Sequence, residues 1–276
     1  MTVSDAPAGD TTPRPPGGTP AERDAPRTTM VIPAFNEEAR LPASLERALA
    51  FLADQPYRSE LLLVDDGSTD RTAAIVRERC EHTPPNVHLR LLQHDAQQGK
   101  GAAIRTGCLA ARGEYVFFLD ADLATPPDES LKILDLLSGG ADVVIGSRIQ
   151  PDGTDMRASQ PPRRRFAGTL FTKMRKALRV LPDIDDTQCP MKGFRRPAAQ
   201  AIFARQQLRG WIFDAEVLHI ARVLGYRIVE VPVTWRHIDG SRVSLRPRQA
   251  YEVMRDLLRL RFLHRPQPAQ NAPVHR

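Results

Sequence analysis

The chain has 276 residues, 41% of them apolar and 26% charged, with 39 Lys and Arg against 33 Asp and Glu for a net charge of +6. An apolar share of that size can bury a substantial core, which excludes global disorder, and the length allows one large domain or two small ones. The basic balance points to anionic partners (phosphates, nucleic acid or a membrane surface) without choosing among them.

Residues 1–27 hold six prolines and almost no large apolar side chains, so they cannot offset the entropy of ordering and read as a disordered leader. They also lack the apolar centre of a secretory signal. A regular rhythm then begins. Residues 29–33 form a short apolar strand, followed by a helix with Leu41, Leu45, Leu49 and Leu52 at helical spacing. Residues 60–64 are a continuous apolar strand running into Asp65-Asp66-Gly67-Ser68, and Ser68 or Thr69 is positioned to cap the helix that follows. A third strand over 87–92, a third helix over 101–111, a fourth strand over 115–119 and a fifth over 142–145 continue the alternation. Short buried strands separated by helices predict an α/β fold with a mostly parallel central sheet. Ligands of such sheets bind at the carboxyl ends of the strands, where this chain carries Asn36-Glu37, Asp65-Asp66, Asp120-Ala121-Asp122 and Gly146-Ser147-Arg148.

After Arg148 the rhythm breaks and charge gathers. Residues 157–179 contain eight Arg or Lys and no acid, and residues 236–265 contain eight Arg against three acids. Together they carry +13 against a whole-chain net of +6, so the remainder is near −7. In the first stretch Phe166, Leu170, Phe171, Met174 and Leu178 recur at helical spacing. The segment 250–263 sets Tyr251, Val253, Met254, Leu257 and Leu258 against Arg248, Arg255 and Arg259, with Arg261 interrupting its apolar face. Both read as basic amphipathic helices, packed on the core or lying at an interface. The expected layout is a leader (1–27), a main domain (28–246), an amphipathic C-terminal helix (247–264) and a disordered tail (265–276). No run approaches the roughly 18 apolar residues of a transmembrane helix. Cys80, Cys108 and Cys189 form neither a disulfide framework nor a zinc spacing, which fits a reduced cytoplasmic setting.

Among the motifs, Asp120-Ala121-Asp122 just past a buried strand offers two hard oxygen donors to Mg²⁺ or Mn²⁺, although an isolated Asp-x-Asp also serves to solvate a strand end and cap a helix. Asp-Gly turn chemistry and capping account for Gly67, Ser68 and one neighbouring carboxylate, leaving one acid free for a ligand such as a nucleobase N–H. Gly99-Lys100-Gly101 is no P-loop, since His94 replaces the first glycine and Gly101 the Ser or Thr. Lys100 at a helix N-terminus can approach a phosphate or simply be solvated. Histidines including His82, His88, His94, His219 and His237 show no metal-ligand spacing and read as surface or satisfied residues. No Gly-x-Ser-x-Gly elbow exists, and Cys108 lies within a helical pattern.

Taken together, Val31-Ile32-Pro33-Ala34-Phe35-Asn36-Glu37-Glu38, Val64-Asp65-Asp66-Gly67-Ser68-Thr69-Asp70, Gly99-Lys100-Gly101-Ala102 and Asp120-Ala121-Asp122-Leu123 resemble the inverting, nucleotide-sugar-dependent glycosyltransferases of family 2 with a GT-A (Rossmann-like) fold. Asp186-Thr187-Gln188-Cys189, Gly210-Trp211-Ile212-Phe213-Asp214-Ala215-Glu216 and Val231-Pro232-Val233-Thr234-Trp235, with Gly240-Ser241 beyond, resemble the dolichyl-phosphate β-glucosyltransferase and polyprenyl-phosphate sugar synthase branch. The likeness covers residues 28–245. By that resemblance Pro33, Phe35 and Glu37 match the first nucleotide contact, and Asp66 the carboxylate that reads the base. Asp120 and Asp122, flanking Ala121, match the catalytic metal and diphosphate site; Arg148 matches an arginine near the phosphates, and Arg236 and Arg242 match residues meeting donor or acceptor phosphate. Ala124, where mannose-transferring relatives carry a metal ligand, favours glucose. Pro190-Met191-Lys192 departs from the usual Gly-Phe before the basic residue, so the acceptor-side loop is expected to differ.

The resemblance implies transfer of a hexose, glucose for preference, from UDP-glucose to a polyprenyl or dolichyl phosphate with Mg²⁺ or Mn²⁺, by a protein on the inner face of a membrane with an anionic surface. A lipid phosphate is mostly deprotonated at neutral pH and needs positioning by Arg and Lys rather than a strong base. A soluble hydroxyl acceptor, the alternative, would need a base, with Asp186 or Asp214 as candidates. Nucleic acid is not an expected partner: aromatics make up only 6% of the chain and no stacking signature appears.

Overall fold

The computed structural model describes residues 25–238, 247–260 and 262–264. Most of the leader, Gly240, Ser241 and Arg242, and the tail from 265 lie outside the described residues. Among those described, strands β1 (Thr28–Ala34), β2 (Ser59–Asp65), β3 (Val87–Gln93), β4 (Tyr115–Phe118), β5 (Val143–Ser147), β6 (Lys192–Arg195) and β7 (Ile228–Pro232) form one sheet in the order β3-β2-β1-β4-β6-β5-β7. All pairings are parallel except those of β6, which runs antiparallel between β4 and β5. The helices are α1 (Leu41–Ala53), α2 (Thr72–Cys80), α3 (Lys100–Ala110), α4 (Ser130–Ser138), α5 (Pro162–Ala177), α6 (Arg196–Arg205), α7 (Phe213–Val223) and α8 (Pro247–Leu260). The expected α/β architecture, mostly parallel sheet and C-terminal helix are present.

Both faces of the sheet are covered, which is why strands β2, β4 and β5 are buried along their whole length, while edge strand β3 exposes His88 and Gln93. Leu62, Val64, Val116, Phe118, Val143 and Ile145 point to one side, against Ile104 and Cys108 of α3, Phe203 of α6, Val217 of α7 and Leu257 of α8. Met30, Ile32, Leu61, Leu63, Phe117 and Val144 point to the other, against Leu45 and Leu49 of α1, Val76 of α2 and Ile133 and Leu137 of α4. Helix α3 lies so close to β1 that a Cβ on Gly107 would run into the Val31 side chain.

The topology positions the site. From β1 the chain steps outward to β2 and β3, then returns to lay β4 along the opposite edge of β1. The resulting switch point opens a crevice at the carboxyl ends of β1 and β4. The helix after β2 starts later than its sequence suggests. It begins at Thr72 with no side-chain cap, because Ser68 Oγ instead accepts the Asn36 N–H at 2.8 Å. Among the described residues no helix is long and apolar enough to cross a membrane.

Candidate active site

The loops after β1 and β2 are tied to each other. Asn36, at φ 50°, accepts the Thr69 N–H through Oδ1; the Glu37 N–H donates to Thr72 Oγ1, and the Arg71 N–H donates to Glu38. Glu37 also receives the Arg40 guanidinium through both its carboxylate oxygens at 2.8 Å. These contacts fix Phe35 and Glu37 at the end of β1, beside half-buried Pro33.

The next strand end corrects one expectation: neither of its acids is free. Asp65 accepts the Ser68 N–H and the Gln93 amide. Asp66 Oδ1 takes His94 Nδ1 at 2.7 Å and the Gln98 N–H at 2.9 Å, and Oδ2 takes the Gly99 N–H at 2.8 Å. With the side chain buried, Asp66 is the internal brace of the loop that launches α3. A base-reading role has only the remaining lone pair of Oδ2 to draw on.

After β4 the backbone makes a tight turn, with the Leu123 N–H bonded to the Asp120 carbonyl and Leu123 at φ 49°. The turn aims Asp120 and Asp122 at one space, with Ala121 buried between them. Burial and the Asp120 charge hold the Asp122 carboxyl above the usual carboxylate range, although Oδ1 accepts the Ala124 N–H at 3.0 Å. Lys100, the first residue of α3, puts Nζ 2.5 Å from Asp120 Oδ1 and near two ring centres, 5.7 Å from Trp211 and 5.9 Å from Phe213. Burial disfavours its ammonium, but the carboxylates of Asp120 and Asp214 outweigh that and raise its pKa. One ammonium against two crowded carboxylates leaves negative charge uncompensated, the condition a divalent cation relieves. No group of three or more His, Cys, Asp or Glu able to hold a metal occurs among the described residues. The carboxylate oxygens of Asp120 and Asp122 are the donor type that suits a hard ion completing its shell with water and a diphosphate.

Two buried ion pairs back this space. Arg148 reaches Asp186 through Nε and Nη2, both at 2.7 Å, while its N–H donates to the same carboxylate at 3.0 Å. Its guanidinium also lies 5.6 Å from the centre of the Trp235 ring. Burial opposes the Asp186 charge, but Arg148 wins and depresses its pKa to about 2. The Nε and Nη2 donors of Arg148 are therefore engaged by Asp186 inside the protein, while Arg148 still lines the cleft. The second pair joins β6 to α7: Lys192, fully buried, donates to Asp214 Oδ1 at 2.5 Å and to the Cys189 carbonyl. Burial raises the Asp214 pKa despite the two lysines beside it. Lys192, which follows the unexpected Pro190-Met191, is thus an internal group.

Lys100, Asp120, Asp122 and Arg148 share the wall of one cleft of about 850 Å³. Its opposite wall is apolar, formed by Leu170, Phe171 and Met174 of α5 with Val253 and Met254 of α8. Pro33, Phe35, Glu37 and Asp66 are not in its lining and belong to the adjoining strand ends. Arg236 is exposed next to it, its N–H bonded to the Ala124 carbonyl at 2.9 Å, and Arg242 lies outside the described residues. Sequence reasoning missed Arg163 and Arg164 as cleft residues, having assigned them to the basic helix, and His237, read as surface or satisfied. A signal existed for two more: Trp211 and Trp235 are the chain's only tryptophans, and both line the cleft.

The family model for glycosyl transferase family 2 matches residues 29–203, which contain all of these strand ends up to β6. The chain belongs to glycosyl transferase family 2. It is 37% identical over 249 residues to dolichyl-phosphate beta-glucosyltransferase ALG5A of Trichomonas vaginalis, covering 86% of this chain and 73% of that one. To the dolichyl-phosphate beta-glucosyltransferase of Homo sapiens it is 33% identical, covering 78% and 69%. Among solved structures, glucosyl-3-phosphoglycerate synthase of Mycobacterium tuberculosis with uridine diphosphate superposes with a TM-score of 0.65 over 92% of this chain and 88% of that one, at 20% identity. The mannosyltransferase PcManGT of Pyrobaculum calidifontis, with GDP-Man and Mn²⁺, gives 0.55 at 21% identity over 86% and 63%. These likenesses establish the GT-A fold of this family 2 glycosyltransferase.

Proposed function

We propose that this glycosyltransferase moves glucose, with inversion, from UDP-glucose to a polyprenyl or dolichyl phosphate. The observation that carries the reading is the two-sided cleft: an acidic pair able to hold a cation and diphosphate faces a basic and apolar wall suited to an amphiphilic phosphate. The names of the relatives support the acceptor, and the uridine diphosphate and metal bound in the fold's neighbours support the donor side.

In this reading an acceptor phosphate oxygen attacks C1 of glucose from the face opposite the diphosphate. The new C1–O bond forms as the old one breaks, and UDP departs with the electron pair. Asp120 and Asp122 would hold Mg²⁺ or Mn²⁺, which supplies Lewis-acid stabilisation of charge on the leaving group. Lys100, anchored on Asp120, adds a fixed positive charge beside the same oxygens. The acceptor, its second pKa near 6, arrives largely deprotonated, so no side chain has to take a proton. This relieves Asp214 of any duty as a base.

A lipid acceptor also implies work at a membrane, and we assign the protein to the cytoplasmic face as a peripheral partner of anionic lipid. Phe166 and Leu170 on α5 and Tyr251, Met254 and Leu258 on α8 are exposed among Arg163, Arg165, Lys173, Arg255 and Arg259. The deciding experiment incubates purified protein with UDP-glucose, Mg²⁺ or Mn²⁺ and a polyprenyl phosphate. A phosphate-linked glucolipid is expected. Transfer to soluble hydroxyl compounds with no glucolipid would overturn the lipid assignment.

A further inference from the structure

Arginine marks the end of the sheet opposite the catalytic crevice. Arg27 and Arg58 directly precede β1 and β2, and Arg112 lies three residues before β4. Arg195 ends the antiparallel β6, Arg196 opens α6, and Arg227 directly precedes β7. All six are exposed, along an edge of about 24 Å from β2 to β7 at ordinary strand spacing. Backbone pairing holds them in one row: the Arg27 N–H donates to the Arg58 carbonyl at 2.8 Å, and Arg195 pairs with Tyr115, the first residue of β4.

Within this row lies a cavity of about 630 Å³, walled by Arg58, Arg112, Arg196 and His88 with Pro26 and Pro85, and no acid lines it. Its cations are not neutralised from within the described residues. The Arg112 guanidinium makes no hydrogen bond or ion pair there, and Arg196 uses only Nη1, on the Arg112 carbonyl at 2.9 Å. Glu60, next to Ser59 of the cavity wall, is fully buried and already committed. Its Oε1 takes Arg90 at 2.6 Å, and its Oε2 takes the Thr29 hydroxyl at 2.7 Å and the Arg112 N–H at 2.9 Å. Glu60 therefore fixes the Arg112 backbone and leaves the side chain without a counter-ion. Two guanidiniums gathered in one wall repel each other, and an anion between them relieves that cost while taking up their paired N–H donors. The volume falls in the range of small-molecule sites, about 300–1,000 Å³, rather than that of a surface dimple.

We infer that this cavity is a second anion site, built for a diphosphate group that is either free or carried by a nucleotide. Arg112 and Arg196 supply guanidinium forks to its oxygens, with the Arg58 charge in the same wall. The site is separate from the catalytic one. β1 runs between the two ends of the sheet and sets them about 20 Å apart over its seven residues. The chemistry differs as well, since the crevice offers carboxylates that need a cation to hold a diphosphate, whereas this cavity offers the cations itself.

The test titrates inorganic pyrophosphate and ATP into the full chain by calorimetry, in EDTA so that no divalent ion bridges either to Asp120 and Asp122. One equivalent of pyrophosphate is expected to bind wild type, and to bind more weakly as salt is raised. Arg112→Gln and Arg196→Gln should each weaken it about tenfold, with unliganded Tm close to wild type. Arg112→Lys keeps the charge but loses the fork, and should fall between wild type and Arg112→Gln. The pair Arg163→Gln and Arg164→Gln, on the other basic surface, should bind as wild type. ATP binding more tightly than pyrophosphate would identify a nucleotide as the occupant, and weaker binding would identify the free anion. The inference is overturned if wild type binds no pyrophosphate, if affinity is unchanged in Arg112→Gln and Arg196→Gln, or if the α5 pair loses as much.

Discussion

Asp122, half-buried, and Asp186, buried, line the same cleft, and their environments drive them in opposite directions. Burial and the Asp120 charge raise the first; Arg148 overrides burial and depresses the second. Asp122→Asn keeps an oxygen for the Ala124 N–H while removing the charge that Asp120 repels. Without metal its Tm should equal or exceed that of wild type, whereas turnover with Mg²⁺ or Mn²⁺ should fall by about 10²–10³, the scale of a lost charge-stabilising group. A variant with normal turnover would remove Asp122 from the metal site. For Asp186 the sign is reversed. A carboxyl moved from 3.8 to about 2 on folding contributes stability that is complete above its unfolded pKa and is lost as pH falls through about 2. The contribution near neutral pH is on the order of 2 kcal/mol. Denaturant titrations of Asp186→Asn should therefore show a lower stability at neutral pH and a flatter decline between about pH 4 and pH 2. An unchanged acid limb would show that Arg148 and Asp186 are not coupled as the geometry requires.

Helix α5 shows how a charge run conceals unlike roles. Arg175 sits in the basic stretch but is fully buried, its guanidinium donating to the carbonyls of Val180, Leu181 and Ile184 in the loop that follows. That loop holds Arg179 at φ 55° and Leu181 at φ 49°, conformations that branched or bulky residues take only when the surroundings impose them. Arg175→Met would leave three carbonyls short of a charged donor, and should cost about 3 kcal/mol in urea unfolding. Lys173→Met, on the exposed face, should cost almost nothing. The contrast also marks where the sequence can be read. Strands β1, β2, β4 and β5 were legible because each is an apolar run buried on both faces, and edge strand β3 because its buried Val87 and Leu89 alternate with exposed His88. Strand β6, Lys-Gly-Phe-Arg, carries no such run: it is a strand because Asp214 neutralises Lys192 and because Gly193 lets Ile133 and Phe117 approach. Likewise Asp120 and Asp122 could be found from their strand end, but the commitment of Arg148 to Asp186 and of Asp66 to the α3 loop depends on partners 38 and at least 28 residues away. Motif position gives a residue's neighbourhood, and only tertiary contact shows whether its hydrogen bonds are already used.

At the scale of the whole molecule, negative charge gathers in the sheet-end crevice and positive charge on the outer helices α5 and α8, with exposed aromatic side chains on the same helices. Phe166 is 70% and Tyr251 69% exposed, with Arg165 next to the first and Arg255 one helical turn beyond the second. Such a surface should bind a bilayer by two separable terms. The electrostatic term is worth about 1 kcal/mol for each basic residue near an anionic leaflet and fades as the Debye length falls from about 10 Å at 0.1 M salt to 3 Å at 1 M. The apolar term does not fade with salt and scales with the ring area inserted. Co-sedimentation with phosphatidylserine-containing vesicles should accordingly be strong at low salt, weak at high salt and weak with neutral phosphatidylcholine. Phe166→Ser and Tyr251→Ser should each reduce binding about tenfold at every salt concentration, whereas Lys173→Gln should reduce it only at low salt. Equal binding to neutral and anionic vesicles would show that these helices do not read lipid charge. Loss of sedimentation in the serine variants alongside normal turnover on micellar acceptor would separate membrane attachment from chemistry, as expected if the acceptor enters from the bilayer edge of the cleft.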